Sequence, residues 1–373
     1  MPENSIVSTL IQSFPPASKD QWKRAASREV NDQDPFKELS WKNNDGIEFF
    51  PYYDRQDSEA YSPSQFQLPM AKNSPSNARA WQSSPFVNVR DAKKANIISL
   101  DHLVNGADAI FFNVGARLEI SYDVLLHNIE WQFCSLFFCV QPEESEKIRK
   151  YITDSRLPLD QLTGGFFWET IPKKNTINFF LNELKDFNAL GLLIAPDSPA
   201  REISHALLQG VRLVEECSHS LHDRIAAVNN IAFSLPAAAS FADTIVKLKA
   251  LRGLWFQVAQ AFGASDYHPE DLHIHVRTEP WADDAYEPHG NMIFTTLAAM
   301  ASVIGGCNAL TLKAVEEYNT VMNRVARNVS SILREEAHLN KVSDPTSGSY
   351  AFEVMTNQIA KTAWKLFQSE IRR

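Results

Sequence analysis

Two histidines, His273 and His275, stand at alternate positions of the apolar run Leu272-His273-Ile274-His275-Val276-Arg277. In an extended chain that spacing puts both imidazoles on one face, and two such rings can begin a metal site. A third ligand would have to come from Glu279 or His289. The plainer reading makes both histidines lining residues of a strand. A second set of candidates closes other apolar runs: Glu169, Asp197, Glu279 and Lys313. Carboxylates beside a cation can act as an acid/base cluster. No two of these four form a motif, and solvated loop charges or helix caps explain them more simply.

Recognisable catalytic signatures are missing. There is no G-x-S-x-G, phosphate-binding loop, H-E-x-x-H or Cys/His nucleophile pattern. The 13 glycines are scattered, so none of them builds a Gly-rich phosphate cradle. Asp266-Tyr267-His268 opens like D-x-H-x-x-G, a cobalamin-ligating signature, but Pro269-Glu270-Asp271 follow and the glycine is absent. That segment also falls in a helix-to-strand loop, and the match is dismissed.

The elements that would position these residues recur in a regular rhythm. Eight strand-length apolar runs begin at Ala80, Ala109, Ser135, Gly165, Leu190, Ile231, Leu272 and Ala309. They end near Phe86, Val114, Val140, Thr170, Ala195, Pro236, Arg277 and Lys313. Most are apolar on both faces, as a parallel sheet covered by helices requires. Helix signals lie between them. Pro142-Glu143-Glu144 starts one helix, and Ser198-Pro199 supplies an N-cap and a first-turn proline. Ile245, Leu248, Leu251, Trp255, Val258 and Phe262 step by three and four along one helix face. Asn291 to Ile304 ends at Gly305-Gly306, and further helices are expected over about Val321 to His338 and Thr356 to Glu370. This is the size and rhythm of an α/β fold, a (β/α)8 TIM barrel over residues 79–373 with a C-terminal helix. An open doubly wound sheet is the runner-up, weakened by the lack of G-x-G-x-x-G.

Residues 1–78 read as an N-terminal extended arm or linker. Ser18-Lys19-Asp20-Gln21 is a capping box for a helix running to about Val30. Leu39 to Lys42, a turn at Asn44-Asp45-Gly46, and Ile47 to Tyr53 form a hairpin with an aromatic second arm. Such an arm either folds back on its own domain, the simpler outcome, or wraps a partner chain. The net charge of −9 argues against a general nucleic-acid surface. No run of 18 apolar residues occurs, and the start Met1-Pro2-Glu3-Asn4 lacks a secretory pattern. The four cysteines form no C-x-x-C pair; Cys134 and Cys139 read as small buried hydrophobes in a reducing compartment, and a cytoplasmic location is expected.

The strand parities carry the sharper argument. In the second run Ile110 and Phe112 face one side and Phe111 the other. In the third, Phe137 opposes Leu136 and Phe138; in the fourth, Phe167 opposes Phe166 and Trp168. Whichever register holds, three adjacent strands aim an aromatic ring at the barrel axis.

Three stretches carry a family resemblance: Asp284-Ala285-Tyr286-Glu287-Pro288-His289-Gly290-Asn291-Met292, Arg324-Val325-Ala326-Arg327-Asn328, and Glu335 to Leu339 running into Asp344-Pro345-Thr346-Ser347-Gly348-Ser349-Tyr350. Val246 to Ala250 with Leu254-Trp255, and Leu39-Ser40-Trp41-Lys42 with Asp45-Gly46-Ile47, fit the same pattern. Together they resemble the barrel domain of methylmalonyl-CoA mutase, and its small (beta) subunit more than its large one. The resemblance is dense over 231–368 and looser before. It implies a heterodimer in which the large subunit interconverts methylmalonyl-CoA and succinyl-CoA, in propionate metabolism, with adenosylcobalamin. It also implies that catalytic members thread the CoA tail down an axis lined by small polar side chains, where this chain has Phe and Trp. Catalytic members carry a histidine after strand 5, where this chain reads Ile194-Ala195-Pro196-Asp197-Ser198-Pro199. They also carry a substrate-holding arginine after strand 4, where this chain reads Glu169-Thr170-Ile171-Pro172-Lys173-Lys174-Asn175. Lysine does not give arginine's planar two-pronged grip. The family's cobalamin domain is a separate flavodoxin-like unit after the barrel, and this chain, ending at Arg373, is expected not to supply it. No catalytic, cofactor-binding or metal residue is therefore carried over.

Three functions follow as expectations. One is a non-catalytic small subunit that stabilises the catalytic large subunit, with no cofactor, nucleic acid or membrane bound by this chain. The second is an independent barrel enzyme with a site built from Glu169, Arg277, Glu279 and Lys313. The third is a CoA-ester-binding module without turnover.

Overall fold

The computed structural model describes residues 18–58, 68, 80–115, 120–170, 172, 174–184, 186–217, 220–238, 240–278, 290–314 and 319–372. The chain starts with helix α1 (Lys19–Glu29), opened by the expected capping box: Gln21 N–H donates to Ser18 Oγ, and Ser18 N–H to Gln21 Oε1 at 2.8 Å. A short helix α2 (Pro35–Glu38) leads into a hairpin of β1 (Trp41–Lys42) and β2 (Glu48–Phe49), with Trp41 opposite Phe49. Helix α3 (Arg55–Ser58) follows. This arm lies on its own barrel: Phe49 is fully buried in the main core, and α3 packs on the C-terminal helix.

The barrel strands are β3 (Gln82–Ser83), β4 (Phe86–Asn88), β5 (Ala109–Asn113), β6 (Ser135–Val140), β7 (Gly164–Trp168), β8 (Phe187–Leu193), β9 (Ile231–Pro236), β10 (His273–Arg277) and β11 (Ala309–Thr311). All neighbours are parallel, in the order β3-β11-β10-β9-β8-β7-β6-β5-β4. The first expected run is therefore two strands. Ser84-Pro85 interrupts it, because proline has no N–H to add to a ladder. β3 pairs with β11 and β4 with β5, so the two halves of one stave join the ends of the sheet. Ser84 N–H reaches Leu310 O and Phe111 N–H reaches Pro85 O, each at 2.9 Å. Counting β3 and β4 as one, the nine strands make eight staves of a closed barrel, which excludes the open doubly wound sheet.

Helices surround it: α4 (Ala92–Val104), α5 (Tyr122–Leu125), α6 (Pro142–Asp154), α7 (Lys174–Glu183), α8 (Pro199–Cys217), α9 (Leu221–Asn230), α10 (Phe241–Ala261), α11 (Gly290–Gly305), α12 (Thr320–Glu335) and α13 (Tyr350–Ile371). The last begins six positions before the expected Thr356: the Ser349 carbonyl accepts the Glu353 N–H at 3.0 Å and opens the first turn, without a side-chain cap bond. The larger core lies between the staves and these helices, and a smaller one fills the barrel interior.

Helix α10 departs most from its sequence reading. Its apolar stripe is as expected, yet Lys247, Lys249 and Arg252 are also buried. Each places its charged end against acceptors, as burial of a charge demands. Lys247 Nζ meets Glu202 Oε2 at 2.6 Å and Pro236 O at 2.7 Å. Lys249 Nζ meets Asp344 Oδ2 and Thr346 Oγ1, each at 2.9 Å. Arg252 donates to the carbonyls of Pro269, Leu272 and Gly306 and to Asn308 Oδ1. Asp344 also accepts the N–H of Leu68, tying the segment after the hairpin to the barrel.

Candidate functional site at the barrel axis

The register decides which parity faces inward. Phe86 sits opposite Phe111, Phe111 opposite Phe137, and Cys139 opposite Phe167. Phe111, Phe137, Phe167, Cys139, Ala109, Ala232 and Ala309 form the interior cluster, with Phe86 and Leu193 packed against it. The expected ring from each of three adjacent staves is there, and a fourth, Phe86, joins them. Phe111 is 6.1 Å from Phe86 and 5.6 Å from Phe167, centroid to centroid, and Phe137 is 6.0 Å from Phe167. Gly191 makes this possible: a Cβ there would lie 2.0 Å from Phe166 O and 2.9 Å from the Phe167 ring.

His275 completes the plug from the opposite wall. Its ring stacks on Phe111 at 4.8 Å and lies 5.2 Å from Phe167. Its Nδ1 is 2.7 Å from Ser234 Oγ and its Nε2 is 2.8 Å from Thr311 Oγ1. Thr311 donates its hydroxyl proton to Ser84 O at 2.5 Å, so it accepts from His275 Nε2–H. Ser234 Oγ then donates to Nδ1 while accepting from Arg277 Nη1 at 3.0 Å. The network assigns the Nε2–H tautomer. Burial, with Arg277 beside it, holds the His275 pKa well below the usual 6.5. His273 lies 5.3 Å from Phe137, and burial with Arg252 nearby lowers its pKa to about 4. Both histidines are lining residues of the plug. Among the described residues there is no group of three or more His, Cys, Asp or Glu that could hold a metal ion; Glu279 and His289 lie outside those residues.

The strand-end charges are partly brought together. Glu169, Arg277 and Lys313 all act on the Cys139 thiol, whose pKa is pushed up to about 12 by burial first and by Glu169 next. Glu169 is exposed, hydrogen-bonded by Gln141, and 3.8 Å from Cys139 Sγ. Arg277 is buried and spends its guanidinium on Ser234 O, Ser234 Oγ and Ile194 O. Lys313 Nζ sits 5.1 Å over the Phe86 ring. Asp197 accepts from Ser198 N–H, and its own N–H donates to Glu202, so it serves a helix start. Cys139 is buried as expected, while Cys134 is half-buried, and none of the four cysteines is in a disulfide.

The sequence reading missed the polar collar of Ser234, Thr311 and Ser84 around His275. Its only signal was the alternation Ala232-Phe233-Ser234 and Leu310-Thr311, small polar groups at inward positions. Among the described residues, no helix is long and apolar enough to cross a membrane.

Residues 192–372 match the family model of methylmalonyl-CoA mutase. The methylmalonyl-CoA mutase small subunit of Porphyromonas gingivalis is 25% identical over 96% of this chain and 64% of its own length. That of Streptomyces virginiae is 34% identical over 47% of this chain and 29% of its own. The methylmalonyl-CoA mutase large subunit of Porphyromonas gingivalis is 26% identical over 54% of this chain and 27% of its own. The chain thus spans less than two thirds of the length of these relatives. Residues 192–372 take in six helices, α8 to α13, and strands β9 to β11 of the closed barrel, and over that stretch the chain matches the methylmalonyl-CoA mutase family.

Proposed function

We propose that this chain is a non-catalytic subunit of a methylmalonyl-CoA mutase, stabilising a catalytic large subunit with which it forms a heterodimer. One observation carries the reading. Phe86, Phe111, Phe137, Phe167 and His275 stack across the barrel axis at ring spacings of 4.8 to 6.1 Å. Rings in van der Waals contact leave no passage for a pantetheine chain. The names of its relatives support the pairing, since a small and a large subunit occur in one organism.

The mouth residues do not fit adenosylcobalamin or a reacting thioester. The loop after β8 has no histidine, Arg277 is spent on backbone carbonyls, and Asp197 on a helix start. In this reading adenosylcobalamin is held by the partner subunit. Four cysteines without a disulfide suit a reducing, cytoplasmic setting.

Co-expression with the candidate large subunit, followed by sizing, tests the pairing: co-elution is expected, and separate elution overturns it. Calorimetry of the purified chain with a CoA ester should be flat. Saturable heat without turnover would move the assignment to a CoA-ester-binding module, and turnover without a partner to an independent enzyme at the Glu169 rim.

A further inference from the structure

Helix α8 begins at Pro199, and Ser198 is its N-cap by position, its carbonyl accepting the Glu202 N–H at 2.9 Å. A serine there ordinarily receives an N–H of the first turn on its hydroxyl. Ser198 does not: its Oγ has no hydrogen-bond partner, although the residue is only 8% exposed. The Ala200 N–H goes instead to Asp45 Oδ2 at 2.9 Å, a carboxylate from the hairpin turn. Asp45 is held there by Asn43, whose Oδ1 accepts from Asp45 N–H at 3.0 Å and Ile47 N–H at 3.1 Å. Asn43 Nδ2 is 3.4 Å from Asp45 Oδ2 and from Asp243 Oδ1 on α10. The hairpin thereby roofs a cleft of about 460 Å3 at the barrel mouth, walled by Pro196, Asp197, Glu202 and Ala237.

We propose that α8 has two interchangeable N-caps, which makes the hairpin tip a latch over this cleft. With the latch closed, Asp45 caps the helix and Ser198 is idle. With the tip lifted, Ser198 takes the Ala200 N–H, and Asp45 and Asn43 go to water. An uncapped helix start and a buried unpaired hydroxyl are each costly. Each state avoids the first; the closed state carries the second, while the open state gives up the contacts of Asp45 and Asn43 with α8 and α10, so the two costs oppose each other. Gly46, at φ +74°, gives the tip a glycine pivot, while fully buried Phe49 keeps the base of the hairpin in place. The motion is thus confined to the turn.

Hydrogen exchange on the full chain tests this with Ser198→Ala, which removes only the spare cap. In the closed state that hydroxyl binds nothing, so a merely structural role would leave the hairpin no more protected than the barrel. The latch predicts that exchange at the Asp45 and Ile47 amides slows about fivefold more than at the β6 amides, the order expected for losing a cap. Asp45→Ala holds the latch open, so Ala200 stays protected in that variant and loses protection only in Asp45→Ala/Ser198→Ala. Equal slowing at hairpin and β6, no slowing, or loss of Ala200 protection in Asp45→Ala alone overturns the proposal.

Discussion

The His275 imidazole lies over the Phe111 ring with centroids 4.8 Å apart and planes 11° from parallel. Strands β5 and β10 are not neighbours in the sheet, so this contact crosses the barrel interior. A polar ring reaches the middle of an aromatic stack only because Ser234 and Thr311 satisfy both of its nitrogens.

Removing rings from the stack tests its structural role. Phe111→Ala and Phe167→Ala are each expected to cost about 3–5 kcal/mol, the range for emptying a close-packed aromatic site. Urea unfolding of the purified chain measures it. A loss below about 1 kcal/mol would show an axis that is not packed.

Buried His102 and His275 and half-buried His273 give stability a pH dependence of known sign. His273 and His102 have folded pKa values lowered to about 4, by burial first and then by Arg252 and Arg327 respectively. His275 is also held well below 6.5, by burial first and then by Arg277. Each therefore takes up a proton more readily when unfolded, near 6.5. Their contribution is intact above that pH and declines as pH falls from about 6.5 to about 4. Urea midpoints across this window should drop for the parent, and less steeply for His102→Gln. Equal slopes would remove His102 from the account.

The Lys247–Glu202 pair separates breaking a buried ion pair from replacing it. Side chains only 0% and 3% exposed leave either partner stranded if the other is removed. Lys247→Met is expected to cost about 3–5 kcal/mol. Lys247→Met with Glu202→Leu should recover most of that loss, since both charges are gone. Thermal unfolding of the two variants distinguishes the outcomes; additive losses would contradict a pairwise interaction.

Gly191→Ala tests the close approach of β8 to β7. A Cβ 2.0 Å from Phe166 O cannot be accommodated without moving backbone. Soluble yield should fall sharply, while Gly115→Ala, where nothing lies within 4 Å, should express like the parent. Comparable yields would place the Gly191 strand differently.

The amino-acid sequence by itself determined the barrel rhythm, the capping box at Ser18 and Gln21, the hairpin turn, and the presence of one inward ring per stave from β5 to β7. Those features follow from local chemistry and from the two-residue repeat of a strand, which holds for either register. Only the tertiary structure decided which parity faces the axis, because these strands are apolar on both faces and periodicity is then silent. It also decided that Lys247, Lys249 and Arg252 are buried on α10, since their partners, Glu202, Asp344 and a set of loop carbonyls, come from distant parts of the chain. The same holds for Arg277 and Ser198. A strand-end arginine reads as a site residue and a serine before proline as a cap until the fold brings Ser234 and Ile194 to the one and Asp45 to the helix start beside the other.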